Sequence, residues 1–151
     1  MLSFTKQTGG LCLLLSLSLM ACDSGDQSSG GGSSAVAALE LVGTWTNNYG
    51  STETVSETTW DNGYSALSIA SYDNDDNWVV VQSPPDDEYT PNQYSKYVWT
   101  EEEAGVVYYC TVSFGLATLE EAEASEDTSD PSALTTDGCG GFAWTQLTAA
   151  Q

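Results

Sequence analysis

The sequence predicts an all-β domain, a small antiparallel β-barrel or sandwich with one short helix. Short segments rich in Val, Thr, Tyr and Trp recur between clusters of Gly, Asn, Asp and Pro, which is the spacing of strands and turns in such folds. Residues 105–114 alternate with the two-residue period of a strand. Asn62-Gly63 lies between two such segments and is typical of a β-hairpin turn.

Seven predicted strands follow from this pattern. Strand 51–60 consists almost entirely of Thr, Ser and Glu, so we expect it to be an edge strand or strongly exposed. In strand 105–114 we expect one face to point to the core, the face with Val106, Tyr108, Cys110, Val112 and Phe114. The predicted strands are 41–46, 51–60, 64–72, 77–82, 94–100, 105–114 and 142–148.

One segment departs from the β pattern. Residues 116–125 contain good helix formers, and Thr118 precedes Glu121 by three residues. This spacing is typical of a capping box, in which the two side chains satisfy the first free N–H groups of a helix. We expect a short helix here, followed by an acidic loop.

Composition excludes several classes of function. The 151 residues include 22 Asp plus Glu, only 2 Lys plus Arg and no His, for a net charge of -20. Nucleic-acid binding needs cationic side chains to displace phosphate counterions. Without His, the Ser-His-Asp, Cys-His and His-metal sites are absent. We therefore expect a non-catalytic protein that does not bind nucleic acid.

The first 22 residues resemble an export signal. A short n-region with one lysine precedes an apolar stretch at 11–20, the pattern of a signal peptide and too short for a permanent membrane span. Leu19-Met20-Ala21-Cys22 resembles the lipobox of bacterial lipoproteins. That resemblance implies cleavage after residue 21 and acylation of Cys22, which anchors the chain to the membrane. The alternative is an ordinary signal peptide with a chance cysteine.

The sequence divides into three parts. Residues 1–21 are the predicted signal peptide, 22–40 the lipidated cysteine and a Gly/Ser-rich tether, and 41–148 a single β domain. The tether segment 23–34 has a root-mean-square reach of about 17–21 Å. Asp23 resembles the signal that retains enterobacterial lipoproteins in the inner membrane. Because that rule varies among bacteria, we expect the cell envelope, with the outer membrane or cell surface favoured over the inner membrane.

Cys110 and Cys139 are the two cysteines of the predicted domain. An exported compartment is oxidising, and no His is present to complete a zinc site or a thiol protease. We predict a disulfide between them. A closed loop of about 30 residues stabilises the fold by roughly 3.6 kcal/mol in the chain-entropy description.

Residues 73–77 contain candidate metal ligands, and we expect the acidic segment 120–130 to bind divalent cations weakly as well. Asp73, Asp75 and Asn77 occupy positions 1, 3 and 5 of an EF-hand-like loop, but Trp78 stands where glycine is needed and Pro84 where the bidentate glutamate belongs. Two interpretations stay open, a hairpin turn with solvated acids and weak calcium binding in another geometry. We expect no other cofactor.

Two further resemblances concern the domain itself. Gly43-Thr44-Trp45 resembles the Gly-x-Trp start of lipocalins, whose tryptophan closes the barrel floor beneath a basic residue. Here only Lys96 is left to fill that role. The segments 72–74, 94–97, 108–110 and 138–142 resemble uncharacterised envelope lipoproteins of deltaproteobacteria, which implies no known activity.

The function predicted from these features is an anchored envelope lipoprotein with an acidic, non-catalytic binding or structural domain. The alternative is a lipocalin-like carrier of a small ligand or a carbohydrate-binding module, and the sequence identifies no protein partner. Aromatic rings are expected mainly to fill the core. A binding protein needs a concave site lined by aromatic and convergent polar groups, whereas a structural one buries its rings.

Overall fold

The computed structural model describes residues 37–150, which form a closed antiparallel β-barrel with one short helix. Each strand pairs with the next along the chain, and the last strand pairs with the first. The all-β prediction is confirmed, and of its two forms the barrel is the one observed. The elements are β1 (Gly43–Asn47), β2 (Thr52–Val55), β3 (Thr59–Asp61), β4 (Ala66–Asp73), β5 (Trp78–Gln82), β6 (Tyr94–Trp99), β7 (Val106–Leu116), α1 (Leu119–Glu123) and β8 (Thr145–Ala149).

The predicted strand 51–60 is in fact two strands, β2 and β3. Ser56 turns the chain between them, because its hydroxyl oxygen accepts the backbone N–H groups of Thr58 at 3.3 Å and Thr59 at 3.0 Å. The expectation of an edge strand was wrong, since a closed barrel has no edge strand. Glu53 and Trp60 are buried in the barrel.

The hairpin predicted at Asn62-Gly63 connects β3 and β4. The Asn62 side-chain oxygen accepts the backbone N–H groups of Tyr64 and Ser65, both at 2.9 Å. Gly63 has a φ of +85°, and a Cβ at this position would lie 3.0 Å from the Thr52 carbonyl oxygen. Glycine is therefore needed here both for its backbone angle and for the close approach.

Aromatic and aliphatic side chains fill the barrel interior. Trp45, Trp60 and Trp99 lie there, and all three are at most 6% exposed. The segment before β1 contributes Leu39 and Leu41, which are also buried. The expectation that tryptophans fill the core holds for these three residues.

A second apolar cluster lies on the outer face of β7. Cys110 packs there with Val98 and Trp144, whereas Val107 and Tyr109 belong to the barrel interior. The predicted facing of β7 was therefore wrong. Both faces of this strand are apolar because the chain between β7 and β8 covers the outer one, and Phe114 at its end is exposed.

The helix α1 and the disulfide order this covering segment. Thr118 caps α1 in the predicted capping box with Glu121, which is confirmed. The Cys110–Cys139 disulfide is also present, with its Cα atoms 5.5 Å apart. Lys96, on the outer face of β6, donates hydrogen bonds from its ammonium group to the Glu123 and Ser125 carbonyl oxygens at the end of α1, at 3.0 and 2.9 Å.

The predictions for the signal peptide, the lipobox, Cys22 and most of the tether lie outside the described residues. Within residues 37–150, no helix has the length and apolarity needed to cross a membrane.

Candidate functional site

One end of the barrel is plugged by the segment before β1. Leu39 and Leu41 are buried in it. The Trp45 indole N–H donates to the Leu41 carbonyl oxygen at 2.9 Å, and the Trp99 indole N–H donates to the Glu40 carboxylate. These contacts leave a small cavity of about 180 Å³ beside the plug. We refer to this as the closed end.

The opposite end holds a larger concave site, which we call the mouth cavity, of about 460 Å³. This volume is within the range of about 300–1,000 Å³ that is typical of small-molecule sites. Its apolar and aromatic lining consists of Tyr64, Leu67, Val81, Tyr89, Tyr97 and Phe114. Its polar lining consists of Asn62, Ser65, Ser83, Asp87, Glu88, Thr90 and Ser95.

A cluster of three rings forms the floor of the mouth cavity. Tyr97 lines the cavity and is only 8% exposed. Its ring meets Trp60 edge-on with centroids 5.3 Å apart and lies 5.5 Å from Tyr109. Trp60 and Tyr109 are in turn 5.2 Å apart. Such edge-to-face and tilted contacts are the preferred packing of aromatic rings, so the floor is tightly packed.

The buried carboxylate of Glu53 is bonded to this cluster. It accepts hydrogen bonds from the Trp60 indole N–H at 2.8 Å, the Asn47 amide at 2.9 Å and the Tyr109 hydroxyl at 3.2 Å. Glu53 is 1% exposed. A buried carboxylate is tolerated only when hydrogen bonds replace its water, and here neutral donors supply all three.

The two floor tyrosines stay protonated at neutral pH. Burial raises the pKa of Tyr97 and that of Tyr109 well above the ordinary value, and the negative charge of Glu53 adds to both rises. The Tyr109 hydroxyl therefore carries the proton with which it donates a hydrogen bond to Glu53.

Exposed aromatic rings surround the mouth. Tyr64, Tyr89 and Phe114 are 87%, 79% and 67% exposed. Because the strands alternate in direction, the β1–β2 turn lies at the same end and adds the exposed Tyr49. Phe142, also exposed, does not line the cavity. Most exposed aromatic rings of the described domain are therefore gathered at one end.

Tyr64 and Tyr89, the two tyrosines at the rim of the mouth cavity, are held by the same kind of turn. Asn62 and Asp87 each accept the backbone N–H of the tyrosine two residues later, Tyr64 and Tyr89, at 2.9 Å. Asp87 also accepts the backbone N–H of Thr90 at 2.7 Å. The Thr90 and Tyr89 N–H groups lower the pKa of Asp87. Both loops are thus ordered by Asx turns.

The residues predicted to bind calcium lie at the β4–β5 turn, towards the closed end. One Asp73 oxygen accepts the backbone N–H groups of Asp75 at 2.8 Å and Asp76 at 3.2 Å, and the Asn77 amide donates to Glu101 at 3.2 Å. The turn is therefore held by hydrogen bonds between groups of the protein itself. Among residues 37–150, no three Asp, Glu or Cys side chains gather as metal ligands. Weak calcium binding remains a prediction.

Lys96 does not lie over Trp45, as the lipocalin resemblance would require. It is on the outer face of the barrel, with its ammonium group 5.0 Å from the Trp78 ring centre and bonded to α1. Trp45 does lie at the closed end. Within residues 37–150, no basic side chain therefore takes the position that the lipocalin pattern requires.

Sequence reasoning did not single out the rim rings or Glu53. An Asx residue two positions before a tyrosine, which occurs in three turns at this end, was an available signal for Tyr49, Tyr64 and Tyr89. Glu53 and Val55 share one strand face, so burial of Val55 implied that Glu53 is buried too. The polar composition of the strand obscured this.

Comparisons with family models, curated proteins and solved structures give no match for this chain. The function is therefore argued from the geometry of the barrel.

Proposed function

We propose that this chain is a lipid-anchored envelope protein whose barrel binds a small ligand in the mouth cavity and catalyses no reaction. The observation that carries the proposal is the mouth cavity with its rim of exposed rings. Large exposed apolar groups that are gathered in one place usually mark an interaction site. A purely structural domain gains nothing by exposing Tyr64, Tyr89 and Phe114 around one concavity.

The packing of the interior favours a ligand that sits in the mouth and not deep in the barrel. Below Tyr97, the space is filled by Trp60, Tyr109 and the Glu53 hydrogen bonds. A long hydrocarbon chain would have to displace these groups. A short ligand that rests on Tyr97 needs no such rearrangement.

Asp87 is poorly suited to act as a general acid at the mouth. One Asp87 oxygen already accepts three hydrogen bonds, from the Tyr89 and Thr90 N–H groups and the Thr90 hydroxyl. The lowered pKa of Asp87 keeps it ionised, so it does not act as a proton donor near neutral pH. A binding role uses these groups as they stand.

The position of the first described residues agrees with an anchor at Cys22. The segment that begins at Ala37 enters the barrel at the closed end, where the Ala37 carbonyl accepts from the Tyr72 hydroxyl at 2.9 Å. The described chain therefore begins at the end of the barrel away from the mouth cavity.

The ligand-binding part and the anchoring part of the proposal are tested separately. Binding of an uncharged fluorescent dye and thermal shifts with a small-molecule library should detect a saturable site, and Tyr64→Ala should weaken it while the matched exposed control Phe142→Ala does not. Equal effects of the two variants, or no saturable binding at all, would refute the binding role.

For the anchor, Cys22→Ser should move the protein from the membrane to the soluble fraction, and continued membrane retention would refute lipidation.

A further inference from the structure

The charge around the mouth cavity disfavours anionic ligands. Asp87 and Glu88 line the cavity, and Asp86 adjoins them in the same loop. Within the part of the chain that the structure describes, the sole cationic side chain is Lys96, which is bonded to α1 on the outer face. No cationic group at the mouth can therefore receive a phosphate or a carboxylate.

Buried hydroxyl groups on the cavity wall disfavour a pure hydrocarbon. Ser83 and Thr90 share one hydrogen bond of 3.0 Å, and the Ser95 oxygen accepts the Gly115 N–H at 3.4 Å. All three hydroxyls belong to buried residues that line the cavity. The Thr90 hydroxyl also donates to Asp87 at 3.2 Å, so Ser83 is the donor to Thr90. Each hydroxyl offers one donor and two acceptor positions, so acceptor positions on all three and the donor of Ser95 remain for further bonds. A ligand without polar groups would remove the water that bonds to these hydroxyls and would offer no hydrogen bond in its place.

The closed topology disfavours an extended peptide. Peptides often bind sheets by adding a strand to a free edge, and this barrel has no free edge because β8 pairs with β1. A ligand at the mouth therefore cannot be bound by strand addition.

The exposed aromatic rings around the mouth supply the apolar contact that the hydroxyl groups of the cavity wall do not. Tyr64, Tyr89 and Phe114 are exposed, and the face of an aromatic ring carries a negative quadrupole that attracts the slightly positive C–H groups of an apolar ligand face. The matching ligand is uncharged, has a C–H face for the rings, and carries hydroxyl groups for the Ser and Thr side chains.

We propose that the ligand of the mouth cavity is an uncharged saccharide, which stacks on Tyr64, Tyr89 and Phe114 and bonds to the Ser83, Thr90 and Ser95 hydroxyls. This inference rests on the proposed function, since it names the ligand class of the same site. Anionic saccharides are rejected by Asp87 and Glu88.

The test uses the full chain in a polyoxyethylene detergent, because sugar-based detergents would compete for the site. Neutral tetrasaccharides of glucose, mannose and N-acetylglucosamine are titrated beside a tetrasaccharide of galacturonic acid, with calorimetry as the readout. At least one neutral member should bind, and the acidic one should bind at least tenfold more weakly. Tyr64→Ala and Tyr89→Ala should each weaken binding roughly three- to tenfold.

Matched variants separate stacking from general damage. Tyr64→Phe keeps the ring and should retain most of the affinity, and Phe142→Ala removes an equally exposed ring away from the cavity and should leave it unchanged. Equal binding of the acidic tetrasaccharide would overturn the charge argument. Binding of the uncharged dye at the mouth without binding of any neutral saccharide would overturn this inference and leave the proposed function standing. If neither binds, both are wrong.

Discussion

The Glu53 hydrogen bonds predict a large loss of stability for an almost isosteric substitution. Glu53→Gln keeps the shape of the side chain but replaces one acceptor oxygen by an NH₂ donor. The groups around the carboxylate are the N–H donors of Asn47 and Trp60 and the hydroxyl of Tyr109. Whichever way the amide turns, its NH₂ faces the N–H of Asn47 or Trp60, so at least one bond is lost.

The expected loss can be estimated from these three bonds. Hydrogen bonds to a charged group contribute about 1.5–3 kcal/mol each, neutral ones about 0.5–1.5, and a buried donor left without a partner costs about 1–3 kcal/mol. Removal of the charge relieves part of its desolvation penalty. We therefore expect Glu53→Gln to lower the free energy of unfolding by about 2–4 kcal/mol, which lowers the Tm of a domain of this size by about 8–20 °C.

Thermal and urea denaturation followed by circular dichroism measure this loss. The matched control is Glu57→Gln, the same substitution on an exposed acid in the β2–β3 turn, which should stay within about 0.5 kcal/mol of the parent. Combining Glu53→Gln with Tyr109→Phe should give less than the sum of the single losses, because the two groups share a bond. A Glu53→Gln protein as stable as the Glu57→Gln control would refute the reasoning.

Three further outcomes are expected. Replacing Cys110 and Cys139 by alanine should lower the free energy of unfolding by about 3–4 kcal/mol in urea titrations; an unchanged midpoint would contradict this. Lys96→Met should cost about 1–3 kcal/mol and speed hydrogen exchange in α1, and unaltered exchange there would count against the Lys96 bonds. The pKa values of Tyr97 and Tyr109 are raised in the folded protein. The contribution of these two tyrosines to the free energy of unfolding is therefore complete below pH 10 and falls as pH rises above it, because the unfolded chain loses those protons first. Unfolding midpoints between pH 9 and 11.5 should therefore fall less steeply when both are Phe, and identical slopes would argue against buried hydroxyls.

Local patterns predicted the local structure well. The hairpin at Asn62-Gly63 and the capping box of Thr118 and Glu121 each depend on residues within one turn, and both are confirmed. The disulfide also followed from simple chemistry, since two cysteines lie in the domain and export to an oxidising compartment was expected. These features need no knowledge of the remaining chain.

Features that depend on distant packing were predicted poorly. Both faces of β7 are apolar, so its alternation could not decide which one faces the barrel. The answer depends on the segment 117–144, which returns over the outer face. Gly138 shows how closely that segment packs on itself, because a Cβ there would lie 2.3 Å from the Asp130 carbonyl oxygen. No hydrophobic pattern encodes such a contact.

The scarcity of cations connects the interior of the barrel to the proposed site. In the described domain the one cationic side chain, Lys96, is bonded to α1, so Glu53 is satisfied by the neutral donors of Asn47, Trp60 and Tyr109. Donors on rings and amides act only in fixed directions, so these bonds fix the orientation of Trp60, against which Tyr97 packs. The floor of the mouth cavity is thus ordered before a ligand arrives, as are its Asx-turn loops. Binding at a preorganised site loses less conformational entropy, which favours even a small ligand with few contacts.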